Sequence, residues 1–200
     1  MNPHFLFNAL NAVVASKHDS EAVESVTRNL AEYLRFTLGE ARTFEPLARE
    51  LQALENYLAV QQARFGENLA CRIACDRAAH AVLVPPMLIQ PLLENALHYG
   101  AKTSRMPLKV EVTTKVANGH LEVAVANSGR WVPPDATRSP STGIRSLRKR
   151  LALLIGDEAT VDTVIDPDLD GGWVRVVIRI PARLTQPPAA TEPAQAAELV

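Results

Sequence analysis

Near residue 66 the spacing of apolar residues changes, and that change limits the chain to helices followed by a sheet. Before it, the positions Val23, Val26, Leu30, Tyr33 and Thr37 recur at intervals of three and four, and Leu47, Leu51, Leu54 and Leu58 do the same after Pro46. Such spacing puts each set on one stripe of an amphipathic helix. Pro3 suits a helical first turn with Asn2 as its cap, so residues 3–16 are also expected to be helical. His18, Asp19 and Ser20 read as a turn, and Gly39 as the end of the second helix. Residues 1–65 are therefore expected to form a helical hairpin or bundle.

After residue 66 the period is two. Leu69, Cys71, Ile73 and Cys75 alternate; so do Leu108, Val110, Val112, Thr114 and Val116, and then Leu121, Val123 and Val125. Asn118-Gly119 between the last two runs is a two-residue hairpin signal. Pro85-Pro86 precedes a helix expected from about Met87 to His98. Residues 129–142 read as a loop, and Ile144, Leu147, Leu151 and Leu154 mark one more helix. Residues 159–165 and 173–180 read as a second strand pair. The expected fold class is α+β, a helical segment followed by a mixed or antiparallel sheet backed by helices. The expected division is 1–65, 66–183, and a disordered tail over 184–200 rich in Ala, Pro, Gln and Glu.

Composition excludes some functions. With 47% apolar and 22% charged residues the chain can bury a core, and its formal net charge of -1 argues against nucleic acid as a partner. No apolar run approaches the ~18 residues of a membrane span, no signal peptide is visible, and the chain as given is expected to be soluble. The two cysteines share the alternating face with Leu69 and Ile73 and are expected to be buried free thiols.

Two segments carry chemistry. Residues 2–8 read Asn-Pro-His-Phe-Leu-Phe-Asn, so His4, Asn8 and Asn11 share one helix face, and Phe7, Leu10 and Val14 another. An imidazole titrates near neutrality and can act as a nucleophile; a surface histidine at a helix start is the alternative. Residues 90–100 place Glu94 and Asn95 side by side in an apolar helix. The Asn95 carbonyl oxygen is a ligand that Mg²⁺ accepts beside phosphate oxygens, and Glu94 could orient or deprotonate an attacking group. The alternative is a helix whose polar side faces water. Asn127-Ser128-Gly129 ends a strand, and Ser141-Thr142-Gly143 opens a helix whose amides could meet a phosphate; each could also be an ordinary loop junction.

The order of these segments resembles the catalytic region of LytS-type sensor histidine kinases. Asn2 to Asn8 resembles their phosphoacceptor box, and Gln90 to Gly100, after Pro85-Pro86-Met87, their N-box. Leu54-Glu55-Asn56-Tyr57-Leu58 with Arg64-Phe65-Gly66 resembles the joining segment. Residues 127–129 and 141–143 occupy the two glycine boxes, and Arg148-Lys149-Arg150-Leu151 the motif that follows. The resemblance covers about residues 2–181. It implies a helical dimerisation and phosphoacceptor segment followed by a Bergerat-type ATP-binding sandwich. It also implies ATP with Mg²⁺ as cofactors, autophosphorylation on His4, and phosphotransfer to an aspartate of a response-regulator receiver domain, with the chain as a homodimer.

By the same resemblance, Asn95 holds magnesium, Glu94 serves the imidazole, and Asn127, Gly129 and Gly143 contact the nucleotide. The sequence departs from the family at Asn127, where Asp is usual in the wider superfamily, and at Ser141, Ser146 and Trp173. Phe5 stands where many other kinases carry an acidic residue. In the resembling family more helix, and usually a membrane-bound sensor, precedes the box. Membrane attachment is thus expected only through an upstream region, with this part cytoplasmic. A nucleotide-binding dimerisation module without kinase activity is the alternative function.

Overall fold

A computed structural model describes residues 3–15, 17–39, 42–132, 142–167 and 171–183, with only the backbone of Pro3, His4 and Thr142. The Asn2 cap, Ser141, most of the expected loop and the expected 184–200 tail lie outside the described residues.

The helical segment holds α1 (Pro3–Ala15), α2 (Ser20–Leu38) and, after the short strand β1 (Glu45–Pro46), α3 (Leu47–Phe65). Asp19 caps α2 by accepting from the Ala22 amide at 3.0 Å. The expected stripes face inward: Val26, Leu30 and Tyr33 from α2 and Leu47, Leu51, Leu54 and Leu58 from α3 are all buried. On α1 the buried residues are Phe5, Ala9 and Ala12, while Phe7, Leu10 and Val14 are exposed. Phe5 stacks on Tyr57 with ring centroids 4.6 Å apart and meets Tyr33 edge-on at 4.9 Å, which docks α1 on α2 and α3.

The second part runs β2 (Leu69–Cys75), β3 (Leu83–Val84), α4 (Gln90–Thr103), β4 (Leu108–Ala117), β5 (His120–Ser128), α5 (Thr142–Leu154), β6 (Thr160–Asp166) and β7 (Trp173–Pro181). The main sheet has the order β2-β4-β5-β7-β6. It is mixed: β2 lies parallel to β4, and every other pair is antiparallel. A parallel pair needs a crossover, and α4 supplies it. At the β4–β5 hairpin, Asn118 and Gly119 take φ of 52° and 73°, the left-handed pair of a type I′ turn. Leu108, Val110, Val112, Leu121, Val123, Val125, Val176, Ile178 and Ile180 form one buried sheet face in a cluster shared with α4 and α5.

Two expectations are corrected. Cys71 is exposed and Cys75 only half-buried. They do lie on the inward face, in register with Val110 and Thr114, but β2 is an edge strand on which the core fully buries only Leu69. The helix expected over 87–98 instead spans Gln90–Thr103. Met87 takes φ of 58°, a left-handed conformation that cannot continue into a helix. At the other end buried Gly100 is carried within the helix, which runs on until Ser104.

Candidate functional site

Neighbouring residues on an α-helix point about 100° apart, and α4 uses that angle to serve two cavities. Glu94, Leu97, His98 and Ala101 line a cavity of about 330 Å³ closed on the other side by Phe5 and Asn8 of α1 and Tyr57 and Arg64 of α3. Asn95 and Tyr99 line a second cavity of about 210 Å³ together with Asn127, Arg130, Trp131, Ile144 and Arg148. Of the residues expected to act together, the structure brings Asn95 to Asn127 and Glu94 to the helix that bears His4.

Asn127 reaches the second cavity by strand parity. It follows Leu121, Val123 and Val125 on the face of β5 that lies under α4, paired with Val110 and Val174. It is buried, and its Nδ2 donates to the Ser128 carbonyl at 2.8 Å. The atom that can accept from a ligand's amino group is therefore Oδ1. Gly100 makes room above it: a Cβ there would stand 3.1 Å from the Asn127 Nδ2.

Gly129 closes the end of β5. Its amide donates to the Gly172 carbonyl at 2.8 Å, and the Arg130 amide donates to the Thr103 Oγ1 at 3.1 Å. With φ of 111°, Gly129 lets β5 turn tightly against the end of α4. Gly143 stands in the first turn of α5, where an added Cβ would approach Pro91 of α4 to 3.3 Å.

On the other side of α4, Glu94 Oε1 accepts from Gln90 Nε2 at 2.9 Å, and Gln90 in turn hydrogen-bonds the Tyr33 hydroxyl. Burial pushes the Tyr33 phenol well above its ordinary range, so it stays protonated. Three basic side chains, Arg64, His98 and Lys102, share this cavity with Glu94. Lys102 Nζ lies 2.8 Å from His98 Nε2.

Glu50 is a further buried carboxyl group of functional weight, not among the residues singled out from the sequence. It is 3% exposed, and its two oxygens accept from the Met87, Leu88 and Ile89 amides. These are the amides that precede α4 and have no helical partner of their own. A signal existed: Glu50 sits three residues after Leu47 and four before Leu54, on the apolar stripe itself. Burial raises its carboxyl to about 7, the nearby charge of the buried Glu45 adds to the rise, and burial also disfavours the ionisation of Glu45 itself.

Because folding raises the Glu50 pKa above the ordinary 4.5, the native state binds a proton that the unfolded chain has released between about pH 4.5 and 7. Stability should therefore fall as pH rises through that window, by roughly 3 kcal/mol for a shift of this size. Urea unfolding at pH 5 and pH 8 would measure it. In Glu50→Gln the drop should shrink to the part carried by Glu45; an undiminished drop would assign it elsewhere.

Among the described residues no group of three or more His, Cys, Asp or Glu could hold a metal, and no helix is long and apolar enough to cross a membrane. A magnesium ion at Asn95 would share its shell with phosphate oxygens and water, as this ion commonly does.

The family model described as histidine kinase matches residues 1–69. The sensor histidine kinase BtsS of Escherichia coli K12 is 30% identical over 185 residues, 92% of this chain and 32% of that protein. The sensor protein LytS of Bacillus subtilis is 32% identical over 174 residues, 80% of this chain and 29% of that protein. The chain thus spans about a third of the length of the curated relatives it matches. A mycobacterial sensor histidine kinase, MprB, shares the fold at a TM-score of 0.51 and 12% identity, over 70% of this chain and 97% of that one. The chain corresponds to the catalytic region of LytS-type sensor histidine kinases, with the fold of a histidine kinase catalytic domain.

Proposed function

We propose, from that correspondence, that the chain transfers the γ-phosphoryl group of ATP to His4 and passes it to an aspartate on a response-regulator receiver domain in two-component signalling. The observation that supports it most is the double presentation on α4: Asn95 to the cavity floored by Asn127, and Glu94 to the cavity shared with Asn8 of α1. In the transfer, an imidazole nitrogen of His4 forms a bond to the γ-phosphorus as the bond to the β–γ bridging oxygen breaks. ADP leaves, and the imidazole proton passes to Glu94 or to water. Asn127 takes the adenine amino group through Oδ1, and Arg130 and Arg148 offer charge to the phosphates. Magnesium, when bound, neutralises phosphate charge, and Asn95 is the side chain placed to hold it. Residues 1–65 serve as phosphoacceptor and dimerisation segment, and 66–183 as the ATP-binding part. The exposed Phe7, Leu10 and Val14 suit the face that a second copy covers. The region lies on the cytoplasmic side, with any membrane attachment upstream.

Asn95→Ala should weaken Mg-ATP binding about tenfold or more, near 1.4 kcal/mol, in calorimetry, and weaken magnesium-free ATP less. Equal affinity of parent and variant for Mg-ATP would remove Asn95 from the metal. The second reading, a nucleotide-binding module without transfer, draws on the Gly129 amide being taken by Gly172. Acid-labile, base-stable phosphate on the protein after incubation with ATP separates the two; a protein that binds ATP and takes no label fits the module.

A further inference from the structure

The turn that opens α4 is held from two other helices. Glu50 of α3 accepts from the Met87, Leu88 and Ile89 amides, the latter two at 2.9 and 3.3 Å. Arg150 of α5 donates from Nη2 to the Met87 carbonyl at 2.9 Å. Met87 itself stands at φ of 58°, a conformation a non-glycine residue keeps only when its surroundings impose it. Leu88 and Ile89 beside it are fully buried, so the turn cannot relax outward. The β1–β3 pair, with Glu45 opposite Val84, fixes the segment just before α3 to the strand just before this turn. The start of α4 is therefore a junction of α3, α4 and α5, tied by one carboxylate and one guanidinium.

We propose that Glu50 and Arg150 are positioning residues: by clamping the left-handed Met87 turn they set the orientation of α4, and with it the directions in which Glu94 and Asn95 face their cavities. The consequence for the reaction rests on the function proposed above; the positioning itself does not. Neither side chain lines either cavity. Each acts through the backbone of a turn five to eight residues ahead of the pair. α3 is packed on α1 and α2 and α5 follows the glycine-box segment, so a shift of either helix reaches the pair through this clamp. A displacement near 1 Å at a phosphoryl-transfer site is costly, which gives a buried clamp a role beyond stability.

Glu50→Gln replaces one accepting oxygen with an NH₂ group that faces an amide donor. Arg150→Gln removes the guanidinium donor to Met87. Both are compared with Val176→Ala, a core truncation in β7 that destabilises without touching the turn, at a temperature where all are folded. The first readout is the side-chain amide resonance of Asn95 in the nucleotide-free protein, assigned by its loss in Asn95→Ala. It should shift or split in E50Q and R150Q and stay in place in V176A. The second is Mg-ATP affinity, expected to fall at least fivefold in E50Q and R150Q and less than twofold in V176A. An Asn95 resonance unmoved in both clamp variants overturns the proposal, and a moved resonance with unchanged affinity overturns its consequence for the nucleotide. If E50Q does not fold, R150Q alone decides by the same two criteria. A parent protein that binds no Mg-ATP defeats the proposed function, while the resonance still decides the clamp.

Discussion

His4→Gln should abolish protein-bound phosphate after incubation with labelled ATP, while His18, His80, His98 and His120 can each be replaced without losing it. The strongest competitor is His98, because it lines the same cavity as Asn8 and Glu94. Its Nε2, however, lies 2.8 Å from the Lys102 ammonium, which donates to the lone pair that a nucleophile needs. His120 holds its Nδ1 at 3.0 Å from the Asn118 carbonyl at the hairpin turn and lines neither cavity. His18, between α1 and α2, and His80, between β2 and β3, are exposed and line neither cavity. His4 lies one helical turn before Asn8 in α1, and Phe5 anchors that turn against Tyr33 and Tyr57. Glutamine keeps the helix and the polarity but has no basic ring nitrogen. Peptide mapping of the labelled parent and of H4Q checks the assignment, and label persisting in H4Q would sink it. Circular dichroism of H4Q should match the parent, since Phe5 and its ring partners Tyr33 and Tyr57 are unchanged.

Gly129→Ala should cost roughly 3–5 kcal/mol, the sum of a left-handed conformation and a forced steric shift. At φ of 111° no side chain is at ease, and the added Cβ would collide with Thr103 Oγ1 and stand 2.9 Å from the Ser104 amide nitrogen. Thr103 cannot easily swing away: its hydroxyl donates to the Tyr99 carbonyl at 3.0 Å while accepting from the Arg130 amide. Ser104 is backbone at the end of α4, so relief must come from moving that helix or breaking the Gly129–Gly172 hydrogen bond. Gly119→Ala is the control. Its φ of 73° is also left-handed, but nothing lies within 4 Å of the new Cβ, so only the conformational cost of about 1 kcal/mol remains. Thermal unfolding should show G129A melting about 10 °C below the parent and clearly below G119A. A G129A protein that melts with G119A would mean that the contact with α4 is not tight in solution.

The sequence by itself determined the local elements and the parity of their faces. Period three-to-four against period two separated α2 and α3 from β4 and β5, because a side chain's direction along a regular element follows from its position in the chain. The same rule put Asn127 on the inward face with Val123 and Val125, and Asn118-Gly119 could form only a turn that accepts two left-handed residues. Only the tertiary structure decided what each face meets. Whether Cys71 is covered depends on β2 being an edge strand, which no periodicity reports. That Glu94 and Asn95 serve different cavities depends on what packs on each side of α4. Where α4 begins was settled by Glu50 and Arg150, thirty-seven residues before Met87 and sixty-three after it. A carboxylate on an apolar stripe signals that a buried partner exists, but the partner's identity is a long-range contact, and alternation and helical spacing carry no information about residues so far apart.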